Sequence, residues 1–107
     1  MFIISFITQR LGVFLLPKLY RIGRYIIFFW ANENDEPIHV HISMGNPSPN
    51  ATKIWLTRNG GCIVASNTSR IPQSDLTHLL KVIQTEYFII CNKWKTFFDI
   101  ENIKFYC

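Results

Sequence analysis

The segment "NDEPIHVHIS", residues 34–43, sets two histidines, His39 and His41, two positions apart behind an acidic run. Imidazole titrates near neutral pH, at about 6.5 when unperturbed, so a pair can serve as acid and base. Ring nitrogens also ligate metals. On an extended strand, side chains two apart leave the same face, roughly 6.5–7 Å from each other along the backbone. His39 and His41 can therefore converge on one ion or one substrate group. Charge is supplied nearby: Glu33, Asp35 and Glu36 precede them, and Lys53 and Trp55 fall on the next alternating run.

Three readings fit these residues. Phosphodiester cleavage needs a base for the attacking 2′-hydroxyl, an acid for the departing oxygen and a cation for the charge on phosphorus. His39 and His41 suit the first two roles and Lys53 or Arg24 the third, with Glu33, Glu36, Trp55 and Arg21 as binding residues. A metal reading takes His39 and His41 as ligands and needs a third from Glu33, Asp35, Glu36 or His78. H-x-H alone lacks the paired thiolates or H-E-x-x-H helix that would specify zinc, so no cofactor is assigned. The plainest reading is a solvated strand face that carries polar side chains and does no chemistry. Trp55 then packs, His78 faces solvent, and Arg21 and Arg24 flank Gly23 at a charged hairpin tip.

These residues need a scaffold, and the pattern supplies one. "KLYRI" and "YIIFFWA" are rich in β-branched and aromatic residues and flank Gly23-Arg24, as two strands about a turn. Apolar residues occupy both registers of the second run, which predicts a central strand covered on both faces. "IHVHIS" alternates, with Ile38, Val40 and Ile42 on one face and His39, His41 and Ser43 on the other. "ATKIWLT" alternates again, and Asn59-Gly60 is a hairpin signal leading into "CIVAS". From Leu76 to Phe98 the period changes to three and four, the apolar stripe of an amphipathic helix from about 74 to 98. Ser74 is its candidate N-cap, Asp75 suits its first turn, and a break is expected near Thr85–Phe88. "IKFYC" alternates as a short terminal strand. The predicted fold is α+β: an antiparallel meander of about five short strands, one face packed by one or two C-terminal helices. On that packing both histidines point away from the helices, on an open face.

Composition bounds the rest. With 107 residues, 49% hydrophobic and 17% charged, the chain is one globular domain rather than a disordered one. Net charge is +4, and three of its seven acidic residues sit in the 33–36 loop, so the remainder is distinctly basic. Such an excess attracts polyanions, RNA among them, or an acidic protein. Cys62, Cys91 and Cys107 are odd in number and form no C-x-x-C, which fits a reducing cytoplasm. "MFIISFITQRLGVFLL" is interrupted by Gln9 and Arg10 and falls short of a membrane span, so no membrane partner is expected.

"PKLYRIGRYIIFFWANENDEPIHVHI", then "ATKIWLT", then the long C-terminal helix, resembles the bacterial family known as domain of unknown function 4160. The resemblance runs from about Pro17 to the end. It rests on Glu36-Pro37, His39-Val40-His41 and Lys53-Ile54-Trp55, in order; one common family form has Pro-Pro-His where this chain has Pro37-Ile38-His39. Genes of this family are often paired with a small partner of another family, domain of unknown function 2442. That pairing implies a type II toxin–antitoxin module in which this chain is the toxin and the neighbouring gene encodes its antitoxin-like partner. The motif positions carried over are Glu33, Glu36, His39, His41, Lys53 and Trp55. Family members usually start at a Met-Pro matching Leu16-Pro17, and leucine can be encoded by TTG, also a bacterial start codon. Residues 1–16 are accordingly expected to be an extension, of which 1–15 are left untranslated with translation beginning at position 16, and residues 17–107 to be the domain.

Overall fold

The computed structural model describes residues 17–33 and 35–107. The start-site expectation for residues 1–16 lies outside them. Five strands follow in order: β1 (Lys18–Ile22), β2 (Tyr25–Phe28), β3 (His39–Met44), β4 (Thr52–Leu56) and β5 (Cys62–Ser66). They form one sheet in the order β1-β2-β3-β4-β5, each antiparallel to its neighbour, as the meander requires. Gly23, with φ of +58°, takes the first central position of the β1–β2 turn, where a side chain would be strained. The Asn59-Gly60 signal does mark the β4–β5 hairpin. Its loop, however, spans residues 57–61, closed by Thr57 N–H to the Gly61 carbonyl at 2.9 Å.

Two helices follow, α1 (Gln73–Thr85) and α2 (Tyr87–Phe98), separated at Glu86, where the period predicted a break. Ser74 is not the N-cap. Pro72 holds that position with extended backbone angles, and no side chain caps the helix. Proline at this position fixes φ near the observed −56° but has no side-chain oxygen to accept from the first-turn N–H groups. Leu76, Leu79 and Ile83 of α1 and Tyr87, Ile90 and Trp94 of α2 are buried against Ile38, Val40, Ile42, Ile54 and Leu56 of the sheet. Each such aliphatic side chain contributes about 1.5–3 kcal/mol on burial.

Two expectations fail, for related reasons. Residues 99–107 form no strand. Their last residues run beside the β3 and β4 ends, making isolated backbone bonds to different partners: Ile38 N–H to the Lys104 carbonyl at 2.9 Å and Arg58 N–H to the Cys107 carbonyl at 2.8 Å. The histidine face is not open either. His39 is fully buried and His41 nearly so. Ile26, Phe28 and Ala51 form a second small apolar cluster on that side, with Trp30 against it. β2, buried at all four positions, is covered on both faces as its sequence predicted.

Candidate functional site

The register of β3 against β4 sets His39 opposite Trp55 and His41 opposite Lys53, so the four side chains share one face. The imidazoles meet edge to face, ring centroids 4.8 Å apart. Phe28, opposite His41 on β2, stacks on that ring at 5.5 Å. His39 is walled by Trp55 and by Trp94 of α2, each 5.5 Å away between centroids. One aromatic helix residue thus reaches the face that periodicity alone assigned to solvent.

Glu33 completes the centre. It lies in the loop between β2 and β3 and is turned inward, with Oε1 accepting a hydrogen bond from the Trp30 backbone N–H at 2.8 Å. Its other oxygen, Oε2, stands 2.8 Å from His41 Nε2 and 2.9 Å from His39 Nε2. His41 Nε2 donates to it. Burial pushes the Glu33 carboxyl up, but its contacts with the two imidazoles outweigh this and hold it at about 2. The centre therefore contains a carboxylate, not a carboxylic acid.

The protonation of His39 follows from its partners. Its Nδ1 lies 2.8 Å from the Pro37 carbonyl oxygen, which can only accept, so Nδ1 carries a proton. In a neutral ring Nε2 then presents a lone pair. That atom is buried and makes no hydrogen bond, despite its closeness to Glu33 Oε2.

Outside this core lies a polar rim. Glu36 Oε1 is 4.0 Å from His39 Nε2 and accepts from Lys53 Nζ at 3.2 Å. The Lys53 ammonium lies over the Trp55 ring, 4.2 Å from its centroid. Tyr106 stacks on Trp55 with centroids 4.7 Å apart and planes nearly parallel, and is itself 61% exposed.

Of the residues singled out in the sequence, Glu33, Glu36, His39, His41, Lys53 and Trp55 come together. Arg24 and Arg21 do not. Arg24 sits at the β1–β2 turn and faces Asp75 of α1 at 3.7 Å. It is four residues from Phe28, the partner of His41, or roughly 13 Å at about 3.3 Å per strand residue. Arg21 is exposed on β1 opposite Ile26. His78 is exposed on α1 and Asp35 on the loop, so neither joins the histidines. Trp94, Tyr106 and the Pro37 carbonyl were not singled out as site residues. Trp94 was legible only as helix stripe, and a backbone carbonyl leaves no mark in a sequence.

A family model described as Domain of unknown function (DUF4160) matches residues 25–95. The chain belongs to that family. The matched stretch is shorter than the resemblance read from Pro17 to the end. It contains Glu33, Glu36, His39, His41, Lys53, Trp55 and Trp94, and stops before Tyr106. No curated protein and no solved structure matches the chain. Among the described residues, no helix of this DUF4160 protein is long and apolar enough to cross a membrane.

Proposed function

We propose that this DUF4160 protein is the toxin of a two-gene toxin–antitoxin module and that it acts on RNA in the cytoplasm through the Glu33–His39–His41 centre. One observation carries the choice of site: a carboxylate and two imidazoles converge inside a small domain where apolar side chains would pack at least as well. Ionisable groups gathered at such cost, with one carboxyl strongly shifted by its partners, are the physical mark of a candidate functional site. The gene pairing implied by the family supports the toxin role, and the net charge of +4 suits a polyanionic target.

Burial divides the roles within this reading. His39, with no exposed surface, cannot touch a phosphodiester and is a positioning residue. His41 retains slight exposure and is the acid/base group, with Lys53 beside it as the phosphate-facing cation. Arg24 is too distant to share that task.

Induction in a bacterial host should arrest growth, and co-expression of the neighbouring gene should restore it. His41→Ala should relieve the arrest at an unchanged protein level. The purified protein should cleave bulk RNA, and the His41→Ala variant should not. Arrest that persists undiminished in a His39→Ala/His41→Ala double variant moves the activity elsewhere. A second reading, a non-catalytic docking module, draws on the enclosure of His39 and on the exposed Tyr106 above Trp55. It requires arrest or partner binding that depends on Tyr106 and Lys53 but proceeds without RNA cleavage.

A further inference from the structure

We propose that Glu33, His39 and His41 form a binding site for one divalent transition-metal ion, with zinc the best match. The sequence left the third ligand open and assigned no metal; the geometry selects Glu33. One oxygen or nitrogen from each of the three residues lies within 4.8 Å of the others, and all three residues are buried. Two imidazole nitrogens and one carboxylate oxygen are a donor set used for zinc and for other first-row divalent ions.

The decisive atom is His39 Nε2. It is fully buried, lies 2.9 Å from a carboxylate oxygen and makes no well-formed hydrogen bond to it. The gap between them needs positive charge, either a second ring proton on a cationic His39 or a metal ion in that proton's place. Two lone pairs facing each other in the interior repel, and a cation between them converts repulsion into attraction. The surroundings are already arranged for an ion. Nδ1–H donating to a backbone carbonyl is the contact that orients metal-ligating histidines. The bond from Trp30 N–H to Glu33 Oε1 plays the same part for the carboxylate and leaves Oε2 for the metal.

Binding asks for small movements. Bonds of about 2.0–2.1 Å in a tetrahedral site separate ligand atoms by roughly 3.3 Å, so the present 2.8–2.9 Å spacings must open by about half an ångström. His41 binds as the neutral ring with its proton on Nδ1: a neutral ring moves the Nε2 proton to Nδ1, and an imidazolium releases it to solvent, as the ion takes its place. The fourth position falls to water or to Glu36, whose Oε1 lies 4.0 Å from His39 Nε2.

This inference shares its residues with the proposed function but stands without it: an Nε2 on the ion cannot also carry the acid/base proton, so the acid/base role of His41 belongs to the metal-free protein, and binding is read without any activity. Full-length protein, purified without a histidine tag and stripped with chelator, should take up about one Zn2+ per chain in a titration. Co2+ in its place should give visible d–d absorption. Glu33→Gln and His41→Ala should each weaken Zn2+ binding by at least tenfold, with far-UV circular dichroism showing that the variants remain folded. His78→Ala, on the exposed side of α1, should bind as the parent does. Absence of saturable binding by the folded parent, or affinity unchanged in both Glu33→Gln and His41→Ala, overturns the proposal and leaves a second proton on His39 as the compensating charge. Growth arrest without zinc uptake would sink this proposal alone; zinc uptake without arrest would sink the toxin reading alone.

Discussion

His39 is held by three different contacts: a backbone carbonyl on Nδ1, a carboxylate beside Nε2, and aromatic rings of Trp55 and Trp94 around its edge. Nothing in that arrangement favours stability over an apolar equivalent. Desolvating a carboxylate and two imidazoles is costly, and breaking such a group by removing one partner leaves the others stranded. In chelator-treated protein, Glu33→Ala should therefore cost about 3 kcal/mol, whereas the triple variant Glu33→Met/His39→Leu/His41→Leu should recover that loss or exceed the parent. Urea unfolding of the three proteins is the measurement, and a triple variant no more stable than Glu33→Ala would make the centre structural. The pairing of the two histidines, and of Lys53 and Trp55 with them, was legible because strand side chains repeat every two residues. The inward turn of Glu33 was not. It depends on the Trp30 N–H and on the loop's path, and the neighbouring Asp35, of the same chemistry, remains outside.

At the scale of elements, β-branched and aromatic runs about a turn, then strand alternation, located the five strands, and the switch to a 3.6-residue period located one helical stretch whose expected break falls at Glu86. The β1 edge is tied to the helical layer by a contact no pattern announces. Tyr20 on β1 donates to Glu86 Oε1 at 2.8 Å, and Glu86 is the single residue between α1 and α2. Burial, and then the hydrogen bond and charge of Glu86, push the Tyr20 hydroxyl up to about 12. A group whose folded pKa is raised stabilises the fold fully below its unfolded value and loses that contribution as pH climbs through the folded one. The stability difference between the parent and Tyr20→Phe should hold up to about pH 10 and vanish by about pH 12. Urea unfolding across that window measures it; a difference that grows above pH 10 refutes the link. Helix ends and the last residues were read less well than strand positions. Pro72 displaced Ser74 as the cap, and the alternation in "IKFYC" reflects alternate contacts of an extended chain rather than a ladder.

For the whole molecule, the most consequential departure from the sequence reading is the enclosure of the histidine side, and residues 103–107 supply part of the cover. Their backbone satisfies Ile38 and Arg58, Ile103 and Phe105 pack against the main core, and Tyr106 lies on Trp55, which in turn meets the His39 ring. Lys104 also reaches the Asp35 carbonyl at 3.3 Å, tying this segment to the loop that carries Glu33. A helix stripe and a strand alternation each describe one element's own faces; neither reports a segment that crosses from the helical layer to the end of the sheet. Truncation after Asn102 removes two backbone bonds and two half-buried apolar side chains, and should cost about 2–4 kcal/mol. It should also open the site selectively. Acylation of histidine by diethyl pyrocarbonate, read residue by residue by mass spectrometry, should mark His78 rapidly and the slightly exposed His41 slowly in the full chain, and should reach His39 only in the truncated one. Amide exchange at Ile42, at the centre of β3, serves as the control for global unfolding, because that backbone is paired on both sides by β2 and β4. If His39 stays unreactive while Ile42 remains protected, Trp94 and the Glu33 loop close the site by themselves, and the last residues are not its lid.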